Sequence, residues 1–165
     1  MIVVSDATPI STLLKVDQAT LLKKLFDTVI IPEAVSEELM AFHPQIPDFV
    51  RVQSVTGRHR RLPGTEKLGK GEAEAILLAK EVGADILLTD DRKARAAAAS
   101  LNVSCTGLLG LLILAKQANH LESVTTMVEV LEKQGGLYLS PDVKVEAAKL
   151  AGEYSLLDTA NDSPP

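Results

Sequence analysis

The chain has a single cysteine, Cys105, no tryptophan, and aromatic residues at only 3% of its 165 positions. One cysteine excludes an intrachain disulfide and a cysteine-based zinc site, and it fits a reducing cytoplasm. The three histidines, His43, His59 and His120, are not spaced as metal ligands. The scarcity of aromatic rings argues against the base-stacking platforms that many single-strand binding proteins use.

Long apolar runs are also missing. The longest, at 108–115, is far shorter than the roughly 20 residues that cross a bilayer. The first apolar run, at 1–4, is closed by Ser5 and Asp6 and lacks the basic and apolar regions of a signal peptide. We therefore expect a soluble, cytoplasmic protein with no membrane segment.

Basic residues are outnumbered, 17 against 22 acidic ones, and the net charge is −5. A field of this sign repels a polyanion, so a role on nucleic acid must depend on local basic patches. Arg92, Lys93 and Arg95 form one candidate patch, because they follow directly after two aspartates. The same three residues have a simpler interpretation, which is that they neutralise those aspartates.

The length and the pattern of apolar residues predict one α/β domain. Short β-branched or leucine-rich runs at 2–4, 29–31 and 86–88 alternate with amphipathic helical patterns, which is typical of a doubly wound, mostly parallel sheet. We expect a domain over 1–152, with a core over about 2–118, a helical extension over 119–152 and a flexible tail over 153–165.

Acidic residues close two of the predicted strands. Asp6 follows the first strand, and Asp90 and Asp91 follow the strand at 86–88. Ligands of an open parallel sheet bind beyond the carboxyl ends of its strands, so these acids are expected to border one crevice. Glu38 and Glu72 stand on otherwise apolar helical faces and add two more candidates.

Each acid also has a purely structural interpretation. Asp6 would cap a helix that begins at Thr8, and Glu72 would complement a helix dipole. Glu38 would be a solvated helix residue, and one of the two adjacent aspartates would cap the next helix. Together, however, the acids form a carboxylate cluster without histidine or cysteine, which suits Mg²⁺ or Mn²⁺ and the hydrolysis of phosphodiesters.

Four segments occur in a fixed order along the chain: VVSDATPI at 3–10, IPEAVSEEL at 31–39, GEAEAI at 71–76 and LTDDR at 88–92. In order and spacing they resemble the successive motifs of the PIN-domain superfamily over about residues 2–118. The segment TGLLG at 106–110 and the helical extension are similar to a prokaryotic PIN-like subgroup.

The resemblance implies a PIN-like fold with helices on both faces of the sheet, a site for Mg²⁺ or Mn²⁺, and endoribonuclease activity. It also implies the toxin role of a VapC-type pair, with RNA as substrate and a small antitoxin as partner. By motif, Asp6, Glu38, Glu72 and Asp90 would be catalytic residues and metal ligands. Asp91 would be an accessory ligand, and Thr8 would orient Asp6 by a hydrogen bond.

The chain departs from the family pattern in two places. Glu72 stands where many PIN nucleases have aspartate, and Asp90 follows Thr89 directly where the toxins place one residue between, which leaves the choice between Asp90 and Asp91 open. The alternative function is a catalytically inactive PIN-like module for nucleic-acid binding or protein interaction. The complete set of acids favours catalysis, and the acidic net charge favours binding alone.

Apolar side chains surround the predicted helix at 107–119 almost completely and are in excess on the helix at 121–134. Because a small domain offers each helix one core face, we expect part of this surface to pack in a homodimer or against an antitoxin segment. The alternative is that the last helix, at 140–152, covers it.

Overall fold

The computed structural model describes residues 1–57 and 62–154. Its strands are β1 (Val3–Ser5), β2 (Val29–Ile31), β3 (Val50–Val52), β4 (Ile86–Leu88) and β5 (Cys105–Thr106). Its helices are α1 (Ala7–Lys15), α2 (Thr20–Phe26), α3 (Glu33–Met40), α4 (Lys70–Val82), α5 (Arg92–Ser100), α6 (Leu108–Gln117), α7 (Val124–Gln134) and α8 (Pro141–Leu150).

The five strands form one sheet in the order β3-β2-β1-β4-β5, and every pair is parallel. Strand β1 is central: Val4 pairs with Ile30 on one side and with Leu87 on the other. Helices cover the sheet, so the β-branched and leucine side chains of the inner strands are buried in one core. The predicted α/β fold with a parallel sheet is confirmed.

Most helix boundaries lie within a few residues of those predicted, and the one-residue shift at the start of α1 is informative. Asp6 has extended backbone angles and occupies the N-cap, so the helix begins at Ala7 and not at Thr8. Helix α4 ends at Gly83, whose φ of 62° is a left-handed conformation that glycine adopts without strain. Within the described ranges, no helix has the length and apolar character needed to cross a membrane.

The helical extension folds back on the domain, with α8 packed against α6 and α7. Glu153 anchors its end: the buried carboxylate accepts hydrogen bonds from Lys116 Nζ (2.8 Å), Ser123 Oγ (2.6 Å) and the Val124 N–H (2.8 Å). The predicted flexible tail from residue 153 is therefore wrong at its first residue, because this buried ion pair holds Glu153 in place. Residues 155–165 lie outside the described part of the chain.

Candidate functional site

Two adjacent strands end at the candidate site. β1 lies between β2 and β4, and the chain order reverses direction across the β1/β4 pair. Ser5 pairs with Leu88, and the Asp6 N–H donates to the Leu88 carbonyl at 3.0 Å. Asp6 therefore lies beside Thr89, at the switch point where ligands of doubly wound sheets bind.

Asp6 is buried, with 4% of its surface exposed, and its two carboxylate oxygens differ. Oδ2 accepts a short hydrogen bond from Thr89 Oγ1, whereas Oδ1 is buried with no hydrogen-bond partner. Although Asp6 occupies the N-cap of α1, its side chain makes no capping hydrogen bond. The capping interpretation is therefore wrong, and the fold leaves one oxygen of a buried carboxylate unused.

The surroundings of Asp6 disfavour its charge. Burial raises the pKa of Asp6 to about 7, the hydrogen bond from Thr89 opposes the rise, and the charges of Asp90, Glu72 and Glu38 add to it. Four of the predicted acids thus share one electrostatic environment. A cation or a proton would relieve their repulsion.

Glu38 and Glu72 come together because α3 packs against α4. A Cβ added to Gly71, at the start of α4, would lie 2.9 Å from Glu38 Oε2, so glycine makes room for this carboxylate. The Glu72 side chain folds back over Gly69, the N-cap of the same helix, as expected for an acid that also complements the helix dipole. Burial and the charge of Glu72 both raise the pKa of Glu38.

Asp90 and Asp91 have different roles. Asp90 Oδ1 accepts from the Leu108 N–H at 2.9 Å, at the start of α6, and a Cβ on Gly107 would lie 2.6 Å from that oxygen. Loss of hydration raises the pKa of Asp90, and the Leu108 hydrogen bond and the charge of Arg95 lower it. Asp91 is exposed and caps α5, accepting from the Ala94 N–H at 2.7 Å.

Of the two aspartates, Asp90 is the one whose charge acts on Asp6. Asp91 Oδ1 caps the helix that begins one residue later, and its expected role as an accessory ligand stays a prediction. The expected hydrogen bond from Thr8 to Asp6 is wrong. Thr8 is exposed on α1, and the donor to Asp6 is Thr89.

Thr89 is the residue that the motif analysis missed as a donor. It is buried, it donates to Asp6, and its hydroxyl accepts from the Asp91 N–H at 3.3 Å. The sequence feature that could have identified Thr89 is its position, because it is a polar residue at the end of an otherwise apolar strand. That strand was predicted to end at the same edge of the sheet as the one before Asp6.

Of the predicted basic patch, Arg95 is the member at the site. Its guanidinium lies 3.2 Å from the position of a Cβ on Gly107, and its charge acts on Asp90. Arg92 and Lys93 are exposed in the first turn of α5. His59 lies outside the described residues.

The donor chemistry fits a hard divalent cation, since Asp6 Oδ1 is an unsatisfied buried oxygen amid carboxylates. Yet in residues 1–57 and 62–154 no three acidic, histidine or cysteine side chains stand close enough together to hold a metal ion. Mg²⁺ keeps several waters and is often held by one or two carboxylates. Asp6 is the residue that would hold such a cation, with the charges of Glu38, Glu72 and Asp90 around it.

Comparison with known families agrees with this geometry. A family model described as a PIN domain, DUF3368, matches residues 2–153. No curated protein and no solved structure gives a significant match. PIN domains are generally nucleases, and PIN nucleases typically use divalent metals. Because the match spans nearly the whole chain and includes all four acids, the chain belongs to the PIN-domain family.

Proposed function

We propose that this chain is a divalent-metal-dependent endoribonuclease that hydrolyses phosphodiester bonds of single-stranded RNA. One observation carries the proposal: Asp6 Oδ1 is a buried carboxylate oxygen without a donor, at the switch point of the sheet and among three further acids. An aspartate with a purely structural role would accept hydrogen bonds at both carboxylate oxygens, because a buried oxygen without a donor lowers stability.

In this proposal each side chain of the site has a separate role. Thr89 holds Oδ2 of Asp6, so that Oδ1 stays free to bind Mg²⁺ or Mn²⁺. Glu38, Glu72 and Asp90 would add negative charge around the cation, and Arg95, whose charge acts on Asp90, would meet a phosphate. A bound divalent cation supplies Lewis-acid stabilisation of the phosphate and a more acidic water.

The direct test is cleavage of labelled single-stranded RNAs of varied sequence by the purified chain, with Mg²⁺ or Mn²⁺ and with a chelator. We expect cleavage that requires the metal, is abolished in Asp6→Asn and is retained in Asp48→Asn, whose acid is exposed and distant from the motifs. Metal-independent cleavage, no cleavage of any RNA, or wild-type rates in Asp6→Asn would refute the proposal. No cleavage of any RNA would favour the inactive binding module.

We also propose that the chain is a toxin with a small antitoxin partner. A cavity of about 520 Å³ joins Asp90 and Arg95 to an apolar wall that includes Ile113, Leu139 and Leu150. It suits an apolar peptide with an acidic end. Inhibition of RNA cleavage by the product of a neighbouring small gene, weakened in Leu150→Glu, is the expected result.

Homodimerisation stays a prediction. Helix α8 packs against α6 and α7, and this favours the single-chain alternative. Val143 and Leu150 of α8 are themselves exposed and could pack against a second copy. Light scattering at micromolar concentration decides between the two, because a monomer of 17.6 kDa excludes the dimer.

A further inference from the structure

A second cavity adjoins the acidic site on the side of α1 and α3. It has a volume of about 170 Å³ and is lined by Glu38 and, among others, Thr8, Ser11, Lys15 and Phe42. We call it the α1/α3 groove. Ala7, the residue after Asp6, also lines it, so the groove begins one residue from the acid that the proposed function places at the reaction centre.

Among the apolar residues that line this groove, Phe42 is unusual because its side chain is exposed. Phe26 and Phe49 pack against the core, whereas Phe42 is 77% exposed. Its backbone is nevertheless held in place, because the Phe42 N–H donates to the Leu39 carbonyl at 3.1 Å and closes the last turn of α3. The next residue, His43, is hydrogen-bonded through Nε2 to Ser11 Oγ of α1 at 2.8 Å. An exposed apolar ring thus stands on a fixed backbone at the end of a groove whose two walls are joined by a hydrogen bond.

The other walls include hydroxyl groups, the positive charge of Lys15 and the negative charge of Glu38. Thr8 and Ser11 present hydroxyl groups, and Lys15 is exposed in the last turn of α1. Lys15 forms no ion pair with any other residue that the structure describes. A flat ring, hydroxyl groups and a free ammonium group beside a phosphodiester site match the base, the polar edges and the phosphate of one nucleotide.

We propose that the α1/α3 groove binds one unpaired nucleotide next to the scissile phosphodiester, with its base stacked on Phe42 and a phosphate at Lys15. This inference rests on the proposed function and narrows the substrate to RNA that is single-stranded at this position. The cavity has a volume of about 170 Å³ and one aromatic ring in its lining, so it offers a stacking surface for a single base. A single ring of this kind is compatible with the overall scarcity of aromatic residues.

The first test uses a short single-stranded RNA whose cleavage position is known, with each base near that position replaced in turn by an abasic ribose. We expect one position at which the abasic substitution lowers kcat/KM of the wild type by about 5- to 150-fold, the range for loss of one base–aromatic stack. In Phe42→Ala the substitution should have no effect there, and Phe42→Trp should restore it. Tyr138→Ala, which removes an exposed aromatic ring outside the groove, should behave as wild type.

The second test measures binding without cleavage. In Asp6→Asn, fluorescence anisotropy should show weaker binding of the abasic RNA than of the intact RNA, and adding Phe42→Ala should remove the difference. Adding Lys15→Gln should reduce the slope of log affinity against log salt by about 0.7, the value for one phosphate contact on a single strand. Lys24→Gln, an exposed lysine on α2 outside the groove, should leave the slope unchanged.

The outcomes separate the two proposals. If the wild type cleaves RNA and Phe42→Ala keeps the full preference for the intact base, the groove proposal is wrong and the nuclease stands. If the wild type cleaves nothing but Asp6→Asn shows the base-dependent binding, the groove stands and the nuclease falls. Absence of both cleavage and binding overturns both.

Discussion

Replacing Asp6 by asparagine tests the central feature of the site, a buried carboxylate whose pKa is raised from 3.8 to about 7. Between these two pH values the folded chain keeps a proton that the unfolded chain has released. The free energy of unfolding therefore falls as the pH rises, by about 1.4 kcal/mol per pH unit, and the fall ends above the folded pKa.

The size of this fall in the free energy of unfolding depends on the pH range that is measured. Between pH 5 and pH 8 the wild type crosses about two units of the interval between the two pKa values, which costs about 2.7 kcal/mol. Asparagine does not titrate, so Asp6→Asn should lose about 2 to 3 kcal/mol less than the wild type over the same window. Glu38 and Asp90, whose pKa values burial also raises, add a fall of the same sign that both proteins share.

Urea unfolding at steps from pH 5 to pH 8, in the presence of a chelator, measures this difference. Far-UV circular dichroism is the suitable signal because the chain has no tryptophan. Asp48→Asn, which changes an exposed aspartate, should follow the wild type at every pH. A difference between Asp6→Asn and the wild type that stays constant within about 0.5 kcal/mol, the usual scatter of surface changes, would refute the reasoning.

Urea unfolding in the presence of Mg²⁺ or Mn²⁺ is a second test of the same carboxylate. A cation that binds only the folded chain stabilises it, by about 2.7 kcal/mol at 100 times its Kd. Because the cation must displace the proton on Asp6, the gain in the wild type should be larger at pH 8 than at pH 6. Asp6→Asn should show little gain at either pH.

Three further predictions follow from individual contacts. Gly107→Ala places a methyl group 2.6 Å from Asp90 Oδ1, so the carboxylate must move; RNA cleavage assays should show a loss of about 10- to 100-fold in kcat with the fold retained. Thr89→Val removes the donor to Asp6 and should raise the pKa of Asp6 further and weaken Mn²⁺ binding in calorimetry, whereas Thr89→Ser should keep both near the wild-type values. Burial raises the pKa of Glu153, but hydrogen bonds from Lys116, Ser123 and two backbone N–H groups outweigh it and lower the pKa to about 2. Glu153→Gln should therefore lower the free energy of unfolding at pH 7 by about 3 kcal/mol in urea titrations, and this deficit should shrink as the pH falls from 4.5 towards 2.

The grouping of Asp6 with Asp90 could be predicted because it depends on topology alone. Buried runs at 2–4 and 86–88 predict parallel strands, and the acids after them must then reach the same edge of the sheet. The proximity of Glu38 and Glu72 is harder to predict, because it requires α3 to pack against α4. The family motifs supplied that information and local patterns did not.

The details that the sequence did not reveal depend on long-range contacts or on shifts of one residue. Asp90 and Asp91 are adjacent and chemically identical, and they differ because α5 begins at Arg92 and the Leu108 N–H reaches Asp90 from 18 residues away. Thr8 was assigned a role that Thr89 fills, because both are threonines near Asp6 and only the strand pairing distinguishes them. The α1/α3 groove has no sequence signal, since Phe42 and Lys15 meet only through the packing of two helices.

The raised pKa of Asp6, its cost to stability and its expected affinity for a cation have one physical origin. A carboxylate that is buried, lies among other acids and accepts only one hydrogen bond is poorly stabilised as an anion. Binding of either a proton or a cation is therefore favourable. Near neutral pH a proton and a divalent cation compete for the same oxygen. If the pH-dependent cost is found without any stabilisation by Mg²⁺ or Mn²⁺, the proton alone satisfies the site. The chain would then be the binding module and not the nuclease, so these two measurements together separate the two functions before any RNA is added.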